Sequence, residues 1–279
     1  MSAAAQPRAP KLLQAWWAAC YYLFLVLFGL TSSLFNLWCG LLRQLPWRPR
    51  PTTVRTWIHL LMRSYVGLLE LTGIAQVTYQ GFERLSPERG LILAANHPSI
   101  LDATLFLARY PHIVCLYKAA LNQSLLRPAA AELAGYLSNE GGVDAIRHAA
   151  AQLQEGAWLL VFPEGTRTEN APLNPLQPGF AFIAQRAATP VQTVLVHSDS
   201  NVLSKRCRFP QLPELPARIE LQVGECFYPQ EGETIRNFTR RIEVYLRAQL
   251  QKDLASPELT ARNPAGEAFA HASGPHPQL

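Results

Sequence analysis

The sequence predicts an α/β domain, a largely parallel sheet covered by helices, with an N-terminal helical membrane anchor. Three observations predict it. Short apolar runs rich in β-formers alternate with helical stretches from about residue 75 onward. Ahead of them lies one uninterrupted apolar stretch of 31 residues, Leu12 to Leu42, without a charge. The basic excess of the chain, a net +5 from 25 Lys and Arg against 20 acids, sits wholly at the N-terminus. Residues 1–69 hold seven basic residues (Arg8, Lys11, Arg43, Arg48, Arg50, Arg55, Arg63) and no acid. The remainder carries 18 basic against 20 acidic residues. A length of 279 residues suits one α/β domain of ordinary size with an added element.

The elements follow in order. A signal peptide has a shorter apolar core and a small-residue cleavage site, so the stretch from Leu12 to Leu42 is not one. As a single helix it would be about 46 Å long, more than the ~30 Å hydrocarbon core requires. Trp16 and Trp17 mark one end and Trp38 the other, as an aromatic belt does. The length allows a tilted span, or a break near Gly29–Ser33 that leaves the helix lying in one leaflet. The proline-broken basic turn "RQLPWRPRPTTVR" follows, then residues 57–74, which keep Arg63 and Glu70 and read as an amphipathic helix at the interface. A soluble core helix is the alternative for that segment. Basic residues beside anionic head groups contribute about 1 kcal/mol each. Their position after the apolar run predicts a cytoplasmic face for the bulk of the chain, at the cytoplasmic membrane.

Strand-like runs fall at 77–82, 91–96, 112–118, 158–163, 191–197 and 218–227. Helical stretches fall at about 98–109, 121–134, 143–155 and 179–188, with a last amphipathic helix over about 234–252. Fully apolar strands separated by helices indicate a sheet covered on both faces. The expected organisation is therefore a membrane-anchoring helical motif over 1–74, an α/β domain over 75–252 and a disordered tail over 253–279, where large apolar residues are lacking. The charge distribution gives no stripe for nucleic acid. Five scattered cysteines without a C-x-x-C signal neither a disulfide framework nor a zinc site, and read as reduced thiols.

In such sheets reactive loops collect at the carboxyl ends of strands. Two candidates stand there. "NHPSILD" follows the run "LILAA" and sets His97 five residues before Asp102. Pro98 suits a first helical turn, because its missing N–H has no partner there anyway. His97 then lies near the N-cap and Asp102 one turn on. A carboxylate bonded to one ring nitrogen fixes the tautomer and leaves the other nitrogen as a base. No G-x-S-x-G accompanies the pair. A base without an enzymic nucleophile suits a hydroxyl supplied by a substrate. The second loop ends the run "WLLVFP" and reads Glu164, Gly165, Thr166, Arg167. Gly allows close backbone approach to a ligand, and Arg offers a planar charged fork for phosphate or carboxylate.

Together, about 60 residues apart and each after an apolar strand, "NHPSILD" and "FPEGTR" resemble the two principal motifs of the glycerolipid acyltransferase family, best known from 1-acylglycerol-3-phosphate acyltransferase. The resemblance covers about residues 75–200. It implies an α/β domain tethered by a helical membrane motif. It also implies transfer of an acyl chain from an acyl-carrier protein or coenzyme A thioester to a lipid hydroxyl, with no cofactor. Under it, His97 is the general base and Asp102 its orienting partner. Glu164, Gly165, Thr166 and Arg167 form the acceptor-binding loop, and Pro190 in "ATPVQTVLVH" shapes the acyl-binding side. The implied partners are membrane phospholipids, the thioester donor and a lysophospholipid-type acceptor.

One block departs from the family's pattern. Where a further arginine is expected to hold the acceptor phosphate, this chain has Asn139 and Glu140, with no basic residue before Arg147. A carboxylate there disfavours lysophosphatidate and points to a side branch that acylates a less charged or non-phosphate acceptor. Two other readings stand beside the enzyme. A catalytically inactive lipid-binding protein predicts a broken His or Asp, and both are present. A metal site made of His97, Asp102 and His112 lacks ligand spacing, and His112 more simply starts a strand. His59 and His148 read as surface or satisfied core residues, and Arg147 as part of an exposed helix face.

Overall fold

The computed structural model describes residues 10–85, 90–117, 128–138, 141–205, 207 and 210–255. Helix α1 (Lys11–Leu42) is one unbroken rod of 32 residues, about 48 Å long at 1.5 Å per residue. The expected break near Gly29–Ser33 does not occur. Thr31 Oγ1 donates back to Leu27 O, and Thr31 and Ser32 both meet the Tyr65 hydroxyl, so these hydroxyls are satisfied without opening the helix.

Helix α2 (Pro51–Leu71) opens with proline in its first turn and closes in a Schellman arrangement. There the Ile74 N–H reaches Leu69 O, and Gly73 adopts φ 71°, a conformation that costs an L side chain and suits glycine. Its inner face buries Val54, Ile58, Tyr65, Val66 and Leu69. His59 Nδ1 meets Leu107 O at 2.8 Å, which ties α2 to the next helix, α3 (Leu101–Arg109). The segment read as an interfacial helix is therefore packed into the domain.

After α2 come β1 (Ala75–Gln80), a 3-10 turn at Phe82–Arg84, β2 (Leu91–Ala95), α3, β3 (Ile113–Tyr117), α4 (Ala129–Leu133), β4 (Leu137–Ser138) and α5 (Gly142–Gln154). The chain continues through β5 (Trp158–Val161), α6 (Gly179–Ala187), β6 (Val191–Ser198), β7 (Ala217–Phe227) and α7 (Ile235–Ala255). The described strands form one seven-stranded sheet in the order β1-β7-β6-β2-β5-β3-β4. Every neighbouring pair is parallel except β6 with β7.

The six strand runs read from the sequence each hold a strand. The two-residue β4 was missed because a bridge that short leaves no periodicity. Of the helix expected over 121–134, only α4 lies among the described residues; 118–127 fall outside them, as do 256–279 of the expected tail.

Alternation along the central strands fills both faces. Leu91, Leu93 and Ala95 of β2, with Trp158 and Leu160 of β5, join the cluster beneath α1, α2 and α3. Ile92 and Ala94, with Leu159 and Val161, join the cluster beneath α5, α6 and α7. Helix α1 crosses the first face. Tyr21 and Phe24 sink into that cluster, while Cys39 packs with Val54, Ile58, Ala129 and Leu133 of α2 and α4. Its outer side leaves Leu23, Val26, Leu30, Leu34, Leu37 and Leu41 exposed, a stripe at three- and four-residue spacing. It is the one helix among the described residues long and apolar enough to cross a membrane.

Candidate active site

Strands β2 and β5 are hydrogen-bonded neighbours, with Ala94 opposite Val161. Their carboxyl ends therefore deliver "NHPSILD" and "PEGTR" to the same place. On the other side β2 pairs with β6, and Asn96 extends that pairing past the strand end. Its buried amide donates to Val196 O at 2.9 Å and accepts from Val196 N at 2.8 Å. Asn96 thus fixes the direction in which the chain leaves the sheet just before His97.

His97 Nδ1 lies 2.8 Å from Asp102 Oδ2. Only 1% of the Asp102 side chain is exposed, against 18% of His97. The imidazole stacks on Phe162, with ring centroids 4.0 Å apart at 16°. Nδ1 is committed to the carboxylate, so any proton exchange by the imidazole with another group falls to Nε2. Burial pushes the Asp102 carboxyl above the ordinary carboxylate value, and its bond to His97 opposes that shift.

The helix begins later than the sequence suggests: α3 starts at Leu101, three residues after Pro98. The intervening turn is closed by Ser99 and Asp102. The Ser99 N–H donates to Asp102 Oδ2 at 2.9 Å, and the Leu101 N–H donates to Ser99 Oγ at 3.2 Å. This S-x-x-D reciprocity resembles a capping box and was readable in the sequence. Asp102 thus ties the turn leading into α3 as well as holding His97.

The Glu164 carboxylate is buried, 4% exposed, and does not face the opening. Its Oε1 accepts from the His97 N–H at 2.9 Å and from Thr168 Oγ1 at 2.7 Å, and its Oε2 accepts from the Asn174 N–H at 2.9 Å. The Thr168 N–H returns a 2.7 Å bond to His97 O. Glu164 is thus a strut between the two loops, with both carboxylate oxygens taken up by the protein. Gly165 is exposed, with φ 69°, and its N–H closes a turn onto Phe162 O. Thr166 and Arg167 are half-buried beside it. Arg167 Nη1 donates to Leu203 O at 2.9 Å in the chain that follows β6.

Other candidates fall elsewhere. Pro190 precedes β6, and its carbonyl accepts from the Ile92 N–H near the start of β2. It therefore stands at the amino end of the strands, about 17 Å of extended chain from the His97 end, and does not border the reacting groups. Arg147 is exposed on α5 and pairs with Asp144 at 3.0 Å. His112 and His148 are exposed, and no group of three metal-ligating side chains occurs among the described residues. Asn139 and Glu140 lie outside the described residues.

The family model described as Acyltransferase matches residues 76–197, a span that holds both loops and the strands that carry them. Over that span the chain is similar to the Acyltransferase family. The chain is 26% identical over 156 residues to the 1-acyl-sn-glycerol-3-phosphate acyltransferase alpha of Ovis aries, a match covering 50% of this chain and 54% of that protein. It thus spans about half the length of the curated relative it matches. Its fold is similar to the crystal structure of the 1-acyl-sn-glycerophosphate (LPA) acyltransferase PlsC from Thermotoga maritima, at a TM-score of 0.57 and 19% identity. That likeness covers 88% of this chain and 96% of the other. Around the His–Asp pair, the structure adds four residues that sequence reasoning passed over: Asn96, Ser99, Thr168 and Asn174. Only Ser99 carried a local signal; the others act through partners distant in the chain or through loop backbone.

Proposed function

We propose that the chain is a membrane-associated O-acyltransferase that moves an acyl group from a thioester to the hydroxyl of a lysophosphatidate-type lipid. The observation that carries this reading is the His97–Asp102 pair at the carboxyl end of β2, with one imidazole nitrogen held by a buried carboxylate. In the reaction, Nε2 of His97 takes the proton of the acceptor hydroxyl as its oxygen attacks the thioester carbonyl carbon. Asp102 stabilises the imidazolium. The tetrahedral adduct collapses, the C–S bond breaks, and the leaving thiolate recovers the proton from the imidazolium. Atoms and charge balance, and no protein nucleophile is needed. Arg167, beside the glycine turn, is the cation proposed for the acceptor's phosphate. The name of the curated relative supports a 1-acylglycerol phosphate as that acceptor.

Membrane attachment enters the same reading. Both ends of α1 are pinned to the globular part: Trp16 Nε1 donates to Thr72 O at 3.2 Å, and Arg43 pairs with Glu132. A helix held along its length cannot also stand across a bilayer. The reading is therefore a helix lying in one leaflet, with its stripe from Leu23 to Leu41 in the acyl region and the catalytic loops at the cytoplasmic surface.

The test is acyl transfer from a thioester by the full-length protein in lipid. His97→Ala and Asp102→Ala should each reduce kcat by about 10²–10⁴-fold, and the double variant should be little worse, because the pair acts as one unit. Near-normal transfer by a folded His97→Ala protein excludes the mechanism.

A further inference from the structure

The two loops that meet at His97 are braced by a third, the connection between β6 and β7. Ser99 Oγ donates to Val202 O at 2.7 Å, and the Ile100 N–H donates to Leu203 O at 3.3 Å. The same Leu203 carbonyl receives Arg167 Nη1. Leu203 has φ 52°, a left-handed conformation in which a leucine Cβ crowds its own backbone. Contacts from both catalytic loops hold it there, and such held outliers gather at functional sites. Two residues later the ammonium of Lys205 pairs with the carboxylate of Glu169, itself two residues after Arg167. The two segments are thus cross-braced twice, Arg167 to Leu203 and Lys205 to Glu169. The connection then reaches α1, where the Tyr22 hydroxyl donates to Pro210 O at 2.5 Å.

This connection therefore joins the His97 loops to the helix whose apolar stripe faces outward. Arg167 and Lys205 are thus carried on the two cross-braced segments beside the His97 loop. A phosphate monoester carries close to two negative charges near neutral pH, more than one arginine neutralises. The place where a second cation was sought in the sequence holds Asn139 and Glu140.

We propose that Lys205 supplies the second cation of a phosphate subsite, and that Glu169 occupies it as a stand-in anion until the acceptor's phosphate displaces it. The inference rests on the acyltransferase reading and deepens it. Glu169 is placed to yield. Just over half of its side chain is exposed, and exposed ion pairs are held weakly. Lys205 lowers the Glu169 carboxyl from its ordinary value, as expected of an ion pair. Lysine binds phosphate as a compact point charge, while Arg167 offers a fixed fork.

The experiment reads binding as well as turnover. Affinity for lysophosphatidate and for the monoacylglycerol lacking phosphate is measured on full-length protein in mixed micelles, alongside acyl transfer to lysophosphatidate. Lys205→Met should weaken lysophosphatidate binding by about 10- to 100-fold, as loss of a hydrogen bond to a charged group does. Lys205→Arg should restore most of it, and Glu169→Gln should strengthen it severalfold. The loss should be confined to the phosphate ligand. Unchanged lysophosphatidate binding by Lys205→Met, or an equal loss for both ligands, overturns the proposal. If the wild type moves no acyl group yet its lysophosphatidate binding depends on Lys205, the acyltransferase reading falls and the phosphate subsite stands.

Discussion

Asp102 uses one oxygen, Oδ2, for two partners, His97 Nδ1 and the Ser99 N–H, and so links the imidazole to the first turn of α3. Its burial sets a pH dependence whose sign can be worked out. In the unfolded chain the carboxyl titrates near 3.9, as an ordinary aspartate does, and in the fold burial raises that value. A raised folded value stabilises the protein fully only below the unfolded value. That contribution is lost as pH climbs through the folded one. Asp102→Asn keeps the size and an acceptor for Ser99 and removes this linkage. The melting temperature of Asp102→Asn relative to wild type should therefore rise as pH climbs above about 4, the unfolded value. Thermal unfolding across that range checks it. A relative melting temperature that falls with pH means the bond to His97 outweighs burial.

At the scale of elements, the site depends on how three strand ends are tied together. β2 leaves the sheet through Asn96 held to β6, and the loop of β5 is joined to the His97 backbone by Glu164. Glu164→Ala strips the acceptor from the His97 and Asn174 N–H groups and from the Thr168 hydroxyl. An unsatisfied buried donor costs roughly 1–3 kcal/mol, so a loss of about 2–4 kcal/mol is expected, with a fall in kcat as His97 loosens. Glu164→Gln keeps one oxygen and should lie between that variant and wild type. Denaturant titration of the three proteins provides the measurement. A Glu164→Ala protein within about 0.5 kcal/mol of wild type contradicts the strut.

At the scale of the whole molecule, α1 has two unlike sides. One covers Tyr65, Leu69 and the strand residues beneath them, and the other exposes a stripe that nothing among the described residues covers. Deleting α1 confounds these roles, because it strips the core as well as the stripe. Replacing Leu23, Val26, Leu30 and Leu34 by Gln separates them, since each is more than half exposed. Half-burying such a side chain in lipid contributes roughly 1 kcal/mol, so four changes should weaken vesicle binding by about 10³-fold. The melting temperature should stay near the wild-type value. High salt alone should not release the wild-type protein, because screening leaves apolar burial intact. Quantitative sedimentation of the fourfold variant with vesicles would require a different membrane surface.

The sequence by itself determined the fold class, the six longer strands and the pair of loops, because continuous apolar runs such as "LILAA" and "WLLV" belong to strands buried on both faces. It determined the His97–Asp102 pair too, since five residues across a helix start bring the two side chains within reach. Tertiary structure alone decided the rest. Glu164 belonged by sequence to the acceptor loop, but β2 and β5 are neighbours, so its carboxylate meets the His97 amide and turns inward. Pro190 stood in a matching motif, yet β6 runs parallel to β2 and leaves it at the far end of the sheet. The segment 57–74 had the polarity of an interfacial helix. It packs on α3 because the first face of the sheet needs that cover. Lys205 and Leu203 carried no local signal, since partners 36 residues away give them their place. Periodicity is local and survives in one dimension, whereas the direction a side chain faces is settled by which strands become neighbours.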